Sequence, residues 1–135
     1  MPLNCVLTTG ALAAGLAFAL PAIAADKHET VKFGAGKNSA TLSGSLKGYD
    51  AVVYGIGANA GQAMTVSFSP SNLSCYFNVT APGSETALFV GAEGGNEYAG
   101  MLPASGDYVV RVYLMRNAAR RDETCDFRIT FKVTG

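Results

Sequence analysis

Arg116 and Arg120 stand four residues apart in the segment Arg116-Asn117-Ala118-Ala119-Arg120-Arg121. On a helical turn that spacing puts both guanidinium groups on one side, while Arg121 is rotated off by about 100°. Two guanidinium groups aimed together suit carboxylates, which Arg binds in bidentate geometry better than Lys does. Tyr49, in Gly48-Tyr49-Asp50, brings a rigid apolar ring with a polar tip, the kind of side chain enriched at contact hot spots. Residue types alone leave a plainer reading open, in which the arginines solubilise a loop and Tyr49 caps a sheet edge.

Other chemistry is poorly supplied. The single histidine, His28, lies close to the start of the first charged stretch, where a positioned imidazole for a Ser or Cys relay is not expected. No His or Cys cluster offers the three or four ligands of a zinc site. Asp122, Glu123 and Asp126 are interleaved with Arg120, Arg121 and Arg128, so a cation site is not expected there. Gly94-Gly95 lacks the strand-and-helix context of a phosphate loop. A carboxylate pair for glycoside cleavage depends on folding and is not readable from spacing. The expectation is a protein that is not an enzyme and carries neither cofactor nor metal.

The elements that position these residues are strands. Phe127, Ile129, Phe131 and Val133 alternate with Asp126, Arg128, Thr130 and Lys132, the period of a strand with one buried face. Tyr108, Val110, Val112 and Leu114 share one face and Arg111 and Tyr113 the other; Met64, Val66 and Phe68 alternate with Thr65, Ser67 and Ser69. Further strands are expected over Val31–Phe33, Ala40–Gly44, Val52–Ala58, Thr86–Val90 and Glu97–Leu102. Asn59-Ala60-Gly61, Pro70-Ser71-Asn72, Ala81-Pro82-Gly83, Gly94-Gly95-Asn96 and Ser105-Gly106-Asp107 supply turn residues between them. About eight short strands at this spacing suggest one antiparallel β-sandwich of Greek-key or jelly-roll type. Two adjacent alanines and no β-branched residue favour a short helical turn at 116–121. Arg111, facing outward on its strand, is expected to pair with an acid there.

Of 135 residues, the first 25 carry no charge. Val6 to Leu20 is a mild apolar run, Pro21 ends it, and Ala22-Ile23-Ala24 has the small-x-small pattern of a signal-peptidase site, although no Lys or Arg precedes the run. Residues 1–25 are therefore expected to be an export signal cleaved after Ala24 or Ala25, with 26–135 as one domain in the periplasm or outside the cell. The run is too short and too polar for a membrane span. Cys75 and Cys125 fall on the apolar faces of their strands, and in an oxidising compartment they are expected to form a disulfide. Ten basic and ten acidic residues cancel, which argues against a general nucleic-acid binder. The distribution is uneven: from Arg111 onward six basic residues face three acids. That excess is either a solvated strand face or the footprint of an acidic partner.

Two stretches taken together resemble a known family. Ser43-Gly44-Ser45-Leu46-Lys47-Gly48-Tyr49-Asp50 is followed by Leu102-Pro103-Ala104-Ser105-Gly106-Asp107-Tyr108-Val109-Val110-Arg111-Val112 and then Arg116-Asn117-Ala118-Ala119-Arg120. The set resembles the periplasmic inhibitors of g-type (goose-type) lysozyme of Gram-negative bacteria, over roughly residues 31–134. The Leu-Pro-x-x-Gly-x-Tyr phrase also occurs in prepeptidase C-terminal-type β-sandwich domains. The Ser-Gly-x-x-x-Gly-Tyr-Asp and Arg-Asn-x-Ala-Arg pieces discriminate better. The resemblance implies a small β-sandwich that plugs the acidic cleft of a host lysozyme, g-type foremost, with Tyr49, Asp50, Arg116 and Arg120 at the contact. The alternative is a secreted prepeptidase-type module that binds carbohydrate or protein.

Overall fold

The computed structural model describes residues 24–135; the expected leader, residues 1–25, lies almost entirely outside the described residues. Among the described residues, nine strands form two sheets. The first sheet has the spatial order β1 (Asp26–Thr30), β3 (Ala51–Ala58), β8 (Gly106–Leu114), β5 (Cys75–Thr80) and β6 (Ala87–Val90). The second has the order β2 (Ser39–Lys47), β9 (Thr124–Thr134), β4 (Ala63–Pro70) and β7 (Glu97–Met101). Two short helices complete it, α1 (Gly91–Gly94) and α2 (Arg116–Arg120). The all-β sandwich follows from the alternation: each strand turns one apolar row inward, and only a facing sheet can cover that row.

Three details depart from the sequence expectations. The first strand is Asp26–Thr30 and not Val31–Phe33. It pairs in parallel with β3, Asp26 opposite Ala51 and Thr30 opposite Gly55, so the sandwich is not wholly antiparallel. Its polar composition, Asp-Lys-His-Glu-Thr, gives no alternation to read because it is an edge strand with exposed side chains. His28 thus sits in a strand, opposite Val53, with its ring exposed. A helical turn at Gly91–Gly94 stands beside the turn expected at Gly94-Gly95-Asn96.

The inner faces meet in a run of aromatic rings. Tyr54 lies 5.3 Å from Phe131, Phe68 lies 5.5 Å from Phe127 and 5.3 Å from Phe77, and Phe77 lies 5.1 Å from Phe89. The Tyr54–Phe131 and Phe68–Phe77 contacts cross between the sheets, the Phe68–Phe127 and Phe77–Phe89 contacts run within one, and together they belong to the apolar burial that drives folding. Gly44 pairs with Phe127 in the β2–β9 ladder, and the Phe127 ring occupies the place a side chain at 44 would need. The Ser-Gly part of the Ser-Gly-x-x-x-Gly-Tyr-Asp phrase is thereby a packing feature. Tyr108 is fully buried, and its hydroxyl donates to the Ala104 carbonyl at 2.6 Å. That bond closes the Leu-Pro-x-x-Gly-x-Tyr turn, so this phrase too specifies fold. The Cys75–Cys125 disulfide joins β5 to β9, one strand from each sheet, with 6.3 Å between the Cα atoms.

Tyr54 carries the fold's unpaid polar group: among the described residues its hydroxyl is the buried side-chain oxygen with no hydrogen-bond partner. Burial, with a smaller contribution from Glu29, pushes its pKa up to about 12, so it remains neutral. Tyr54→Phe removes the unsatisfied hydroxyl and keeps the ring contacts, and is expected to stabilise the protein by about 1 kcal/mol in thermal or urea melts. Replacing both cysteines by Ala is expected to lower stability by about 2–5 kcal/mol in the same melts.

Candidate functional site

The Arg116–Arg120 segment forms α2, as its composition suggests, because Ala118 and Ala119 are small enough to seal one end of the core; both are buried. With that face fixed inward, Arg116 and Arg120 are exposed, and neither forms an ion pair among the described residues. The helix stops in a Schellman arrangement. The Glu123 N–H donates to Ala118 O at 3.2 Å and the Asp122 N–H to Ala119 O at 3.0 Å, with Asp122 in the left-handed region at φ 52°. Asp is one of the few side chains that tolerates that conformation.

Three connections converge at this end of the sandwich. The β2–β3 turn, Gly48-Tyr49-Asp50, is tied to the end of α2 by the Gly48 N–H donating to Glu123 O at 2.9 Å. Gly48 has φ 62°, and a Cβ there would lie 2.9 Å from the Asp122 carboxylate oxygen, so both conformation and space require glycine. Tyr49, next in the chain, is 53% exposed. The β4–β5 turn is tied from the other side: Asn72 Nδ2 donates to Glu123 Oε1 at 3.0 Å and to Thr124 O at 3.2 Å, and the Met115 N–H donates to Ser74 O at 2.8 Å. Asn72 Oδ1 accepts from the Ser74 N–H at 2.9 Å, an Asx turn that fixes the loop tip.

Glu123 is the shared fastener. Its carboxyl is held below the ordinary carboxylate range, first by the Asn72 hydrogen bond and then by Arg121. A depressed carboxyl contributes its tie fully above its unfolded pKa and loses it as pH falls through the folded one. Arg121 spends its guanidinium on Glu123, with Nη2 to Oε2 at 2.6 Å, so it is both off the Arg116/Arg120 face and neutralised. Arg111 pairs with Asp26 at 2.9 Å on the outer face, as its strand phase implies. Of the three acids weighed for a cation site, Glu123 is engaged as above and Asp126 accepts from the Ser45 hydroxyl at 2.7 Å. Among the described residues no group of three His, Cys, Asp or Glu is placed to hold a metal, and no helix is long and apolar enough to cross a membrane.

Tyr49, Arg116 and Arg120 therefore lie on joined segments at one end of the molecule. Asp50 joins them by position, but its carboxylate accepts the Ala25 N–H at 2.9 Å. The structure adds two residues that sequence reasoning passed over. Leu73 is 94% exposed at the tip of the β4–β5 turn, and Met115, exposed at the start of α2, follows the same end. The signal for Leu73 was a large apolar residue set between turn formers, Pro70-Ser71-Asn72 and Ser74.

No protein-family model matches the chain. An inhibitor of g-type lysozyme from Escherichia coli (strain K12) is 33% identical over 115 residues, spanning 82% of this chain and 84% of the relative. The crystal structure of the Aeromonas hydrophila periplasmic inhibitor of g-type lysozyme, PliG, aligns with TM-score 0.77 and 36% identity, over 83% of this chain and all (100%) of that one. The Salmonella Typhimurium PliG structure aligns with TM-score 0.63 and 32% identity, over 80% of this chain and 98% of that one. The prepeptidase C-terminal domain of a Bacillus anthracis collagenase aligns at TM-score 0.53 with 17% identity, over 85% of this chain and 100% of that one, a likeness of fold alone. On sequence identity and coverage, the chain belongs to the family of inhibitors of g-type lysozyme.

Proposed function

We propose that this protein is a periplasmic inhibitor of g-type lysozyme that seats the α2 end of its sandwich in the enzyme's acidic cleft. The observation that carries the reading is the pair Arg116 and Arg120. Both are exposed on the outward side of a helix whose other side is buried, and neither has an ion-pair partner among the described residues. Two uncommitted guanidinium groups on a rigid turn lose little conformational freedom when they meet carboxylates. Tyr49 stands on the adjoining turn as an aromatic anchor, and Leu73 and Met115 supply apolar contact beside it. Such a surface combines what interface centres favour, an aromatic ring and arginines flanked by water-excluding apolar groups.

Removing either arginine would leave a carboxylate of the cleft unpaired in the contact, at a cost of about 2–5 kcal/mol. Arg116→Ala and Arg120→Ala are each expected to bind a g-type lysozyme roughly thirty- to several-thousand-fold more weakly. Because they address one acidic site, the two losses should not add in the double variant. Tyr49→Ala is expected to cost about 2 kcal/mol or more, and Arg121→Ala to leave affinity nearly unchanged. Isothermal titration of each variant, with thermal melts in parallel, checks this set; full inhibition by the Arg116→Ala/Arg120→Ala protein would end the cleft-seating reading.

Gly48→Ala tests the joint and not the contact. It forces a Cβ into a left-handed conformation against the Asp122 carboxylate. The expected result is a loss of about 1–2 kcal/mol in stability, together with weaker inhibition although no contacting side chain is changed. Wild-type melting and inhibition by Gly48→Ala would show that the turn and α2 are not mechanically joined.

A further inference from the structure

We infer that export processing cuts the Ala24–Ala25 bond and that the α-ammonium it creates on Ala25 closes on the Asp50 carboxylate, anchoring the turn that carries Tyr49. The Ala25 nitrogen already lies 2.9 Å from Asp50 Oδ1. The Ala25 carbonyl accepts the Ala51 N–H at 3.1 Å, so the residue is held on both sides against the start of β3. Asp26, the next residue, is committed elsewhere through its ion pair with Arg111.

The sequence selects the same bond. A cut after Ala24 puts Ala22 and Ala24 at the two positions where signal peptidase needs small side chains. A cut after Ala25 would place the β-branched Ile23 at the first of them. It would also move the ammonium onto Asp26 and remove the nitrogen that faces Asp50. In the cut itself, water adds across the peptide bond: Ala24 leaves as a carboxylate, and the Ala25 nitrogen takes up protons. An α-amino group has an ordinary pKa of about 7.7–8.0, so it is mostly ammonium at neutral pH. A neutral amide hydrogen bond thereby becomes a charge-assisted one, roughly twice as strong.

The consequence lies in the Gly48-Tyr49-Asp50 turn. Gly48 is bonded to Glu123 on the α2 side and Asp50 to Ala25 on the β1 side, so Tyr49 is suspended between two anchors. Asp50 then acts on the turn, as a positioning residue. Its bearing on inhibition rests on the lysozyme reading above; the cut and the ion pair do not.

The full chain, exported with its leader, gives the test. Intact mass of the purified protein is expected to place the first residue at Ala25; a protein starting at Asp26, or left uncut, overturns the inference. Melting is then compared in four exported proteins: the natural chain, Asp50→Asn, a chain with Gly-Ser inserted between Ala24 and Ala25, and the two changes combined. In the natural chain Asp50→Asn is expected to lower Tm by about 2–5 °C. With the ammonium displaced by the insertion, the same substitution should lower it by less than half as much. Equal shifts in both backgrounds overturn the ion pair. Inhibition of a g-type lysozyme by Asp50→Asn should fall by less than about tenfold, far short of an interfacial charge lost from a contact. Abolished inhibition with unchanged melting would make Asp50 a direct contact and overturn its role as anchor. Should the protein not inhibit lysozyme at all, the mass and melting results stand on their own.

Discussion

The aromatic layer between the sheets is the constraint on which everything else hangs. Tyr54, Phe68, Phe77, Phe127 and Phe131 interlock across it, and a close-packed layer of this kind fixes the separation and offset of the sheets. With the sheets fixed, the strand ends are fixed, and so are the connections between them. Ala118 and Ala119 plug the end of that layer. The orientation of α2, and with it the outward direction of Arg116 and Arg120, is a consequence of core packing. The disulfide reinforces the same end, linking β5 just after the Asx turn to β9 just after Glu123.

A surface built for contact must be rigid before it meets its partner, because every side chain or loop ordered on binding subtracts from affinity. Here the rigidity comes from main-chain ties. Glu123 receives the Gly48 N–H on its carbonyl and Asn72 on its carboxylate, and holds Arg121 to one side. One residue thus sets the relation among three connections. The division of labour among the basic residues follows from it: Arg111 and Arg121 are neutralised by Asp26 and Glu123, and Arg116 and Arg120 remain available.

Much of the fold was legible because alternation is a local property. Phe127 through Val133 announces a half-buried strand without reference to any other residue, and the two cysteines could be paired from their phases. The β1 strand was not legible: Asp26–Thr30 has no apolar row, and its parallel partner lies 25 residues on. The chemistry-bearing residues were readable by type and spacing, Arg116 and Arg120 above all. Their environment was not. That Glu123 would fasten Asn72, or that Asp50 would meet Ala25, depends on contacts between positions 51 and 25 residues apart in the chain. The family phrases also mixed two kinds of information. Gly44 and Tyr108 serve packing, and only Gly48 and the residues after it reach the candidate surface.

The central claim is that a pair of arginines meets the catalytic carboxylates of a g-type lysozyme. The most direct measurement is a double-mutant cycle across the complex. Affinity is determined for the natural and Arg120→Ala proteins, each against the natural enzyme and an enzyme whose catalytic carboxylate is replaced by its amide. Direct pairing requires that the two changes be coupled by about 1.5 kcal/mol or more, so that losing the carboxylate removes most of the effect of losing the arginine. Additive losses, with Arg120→Ala equally damaging against both enzymes, would contradict it.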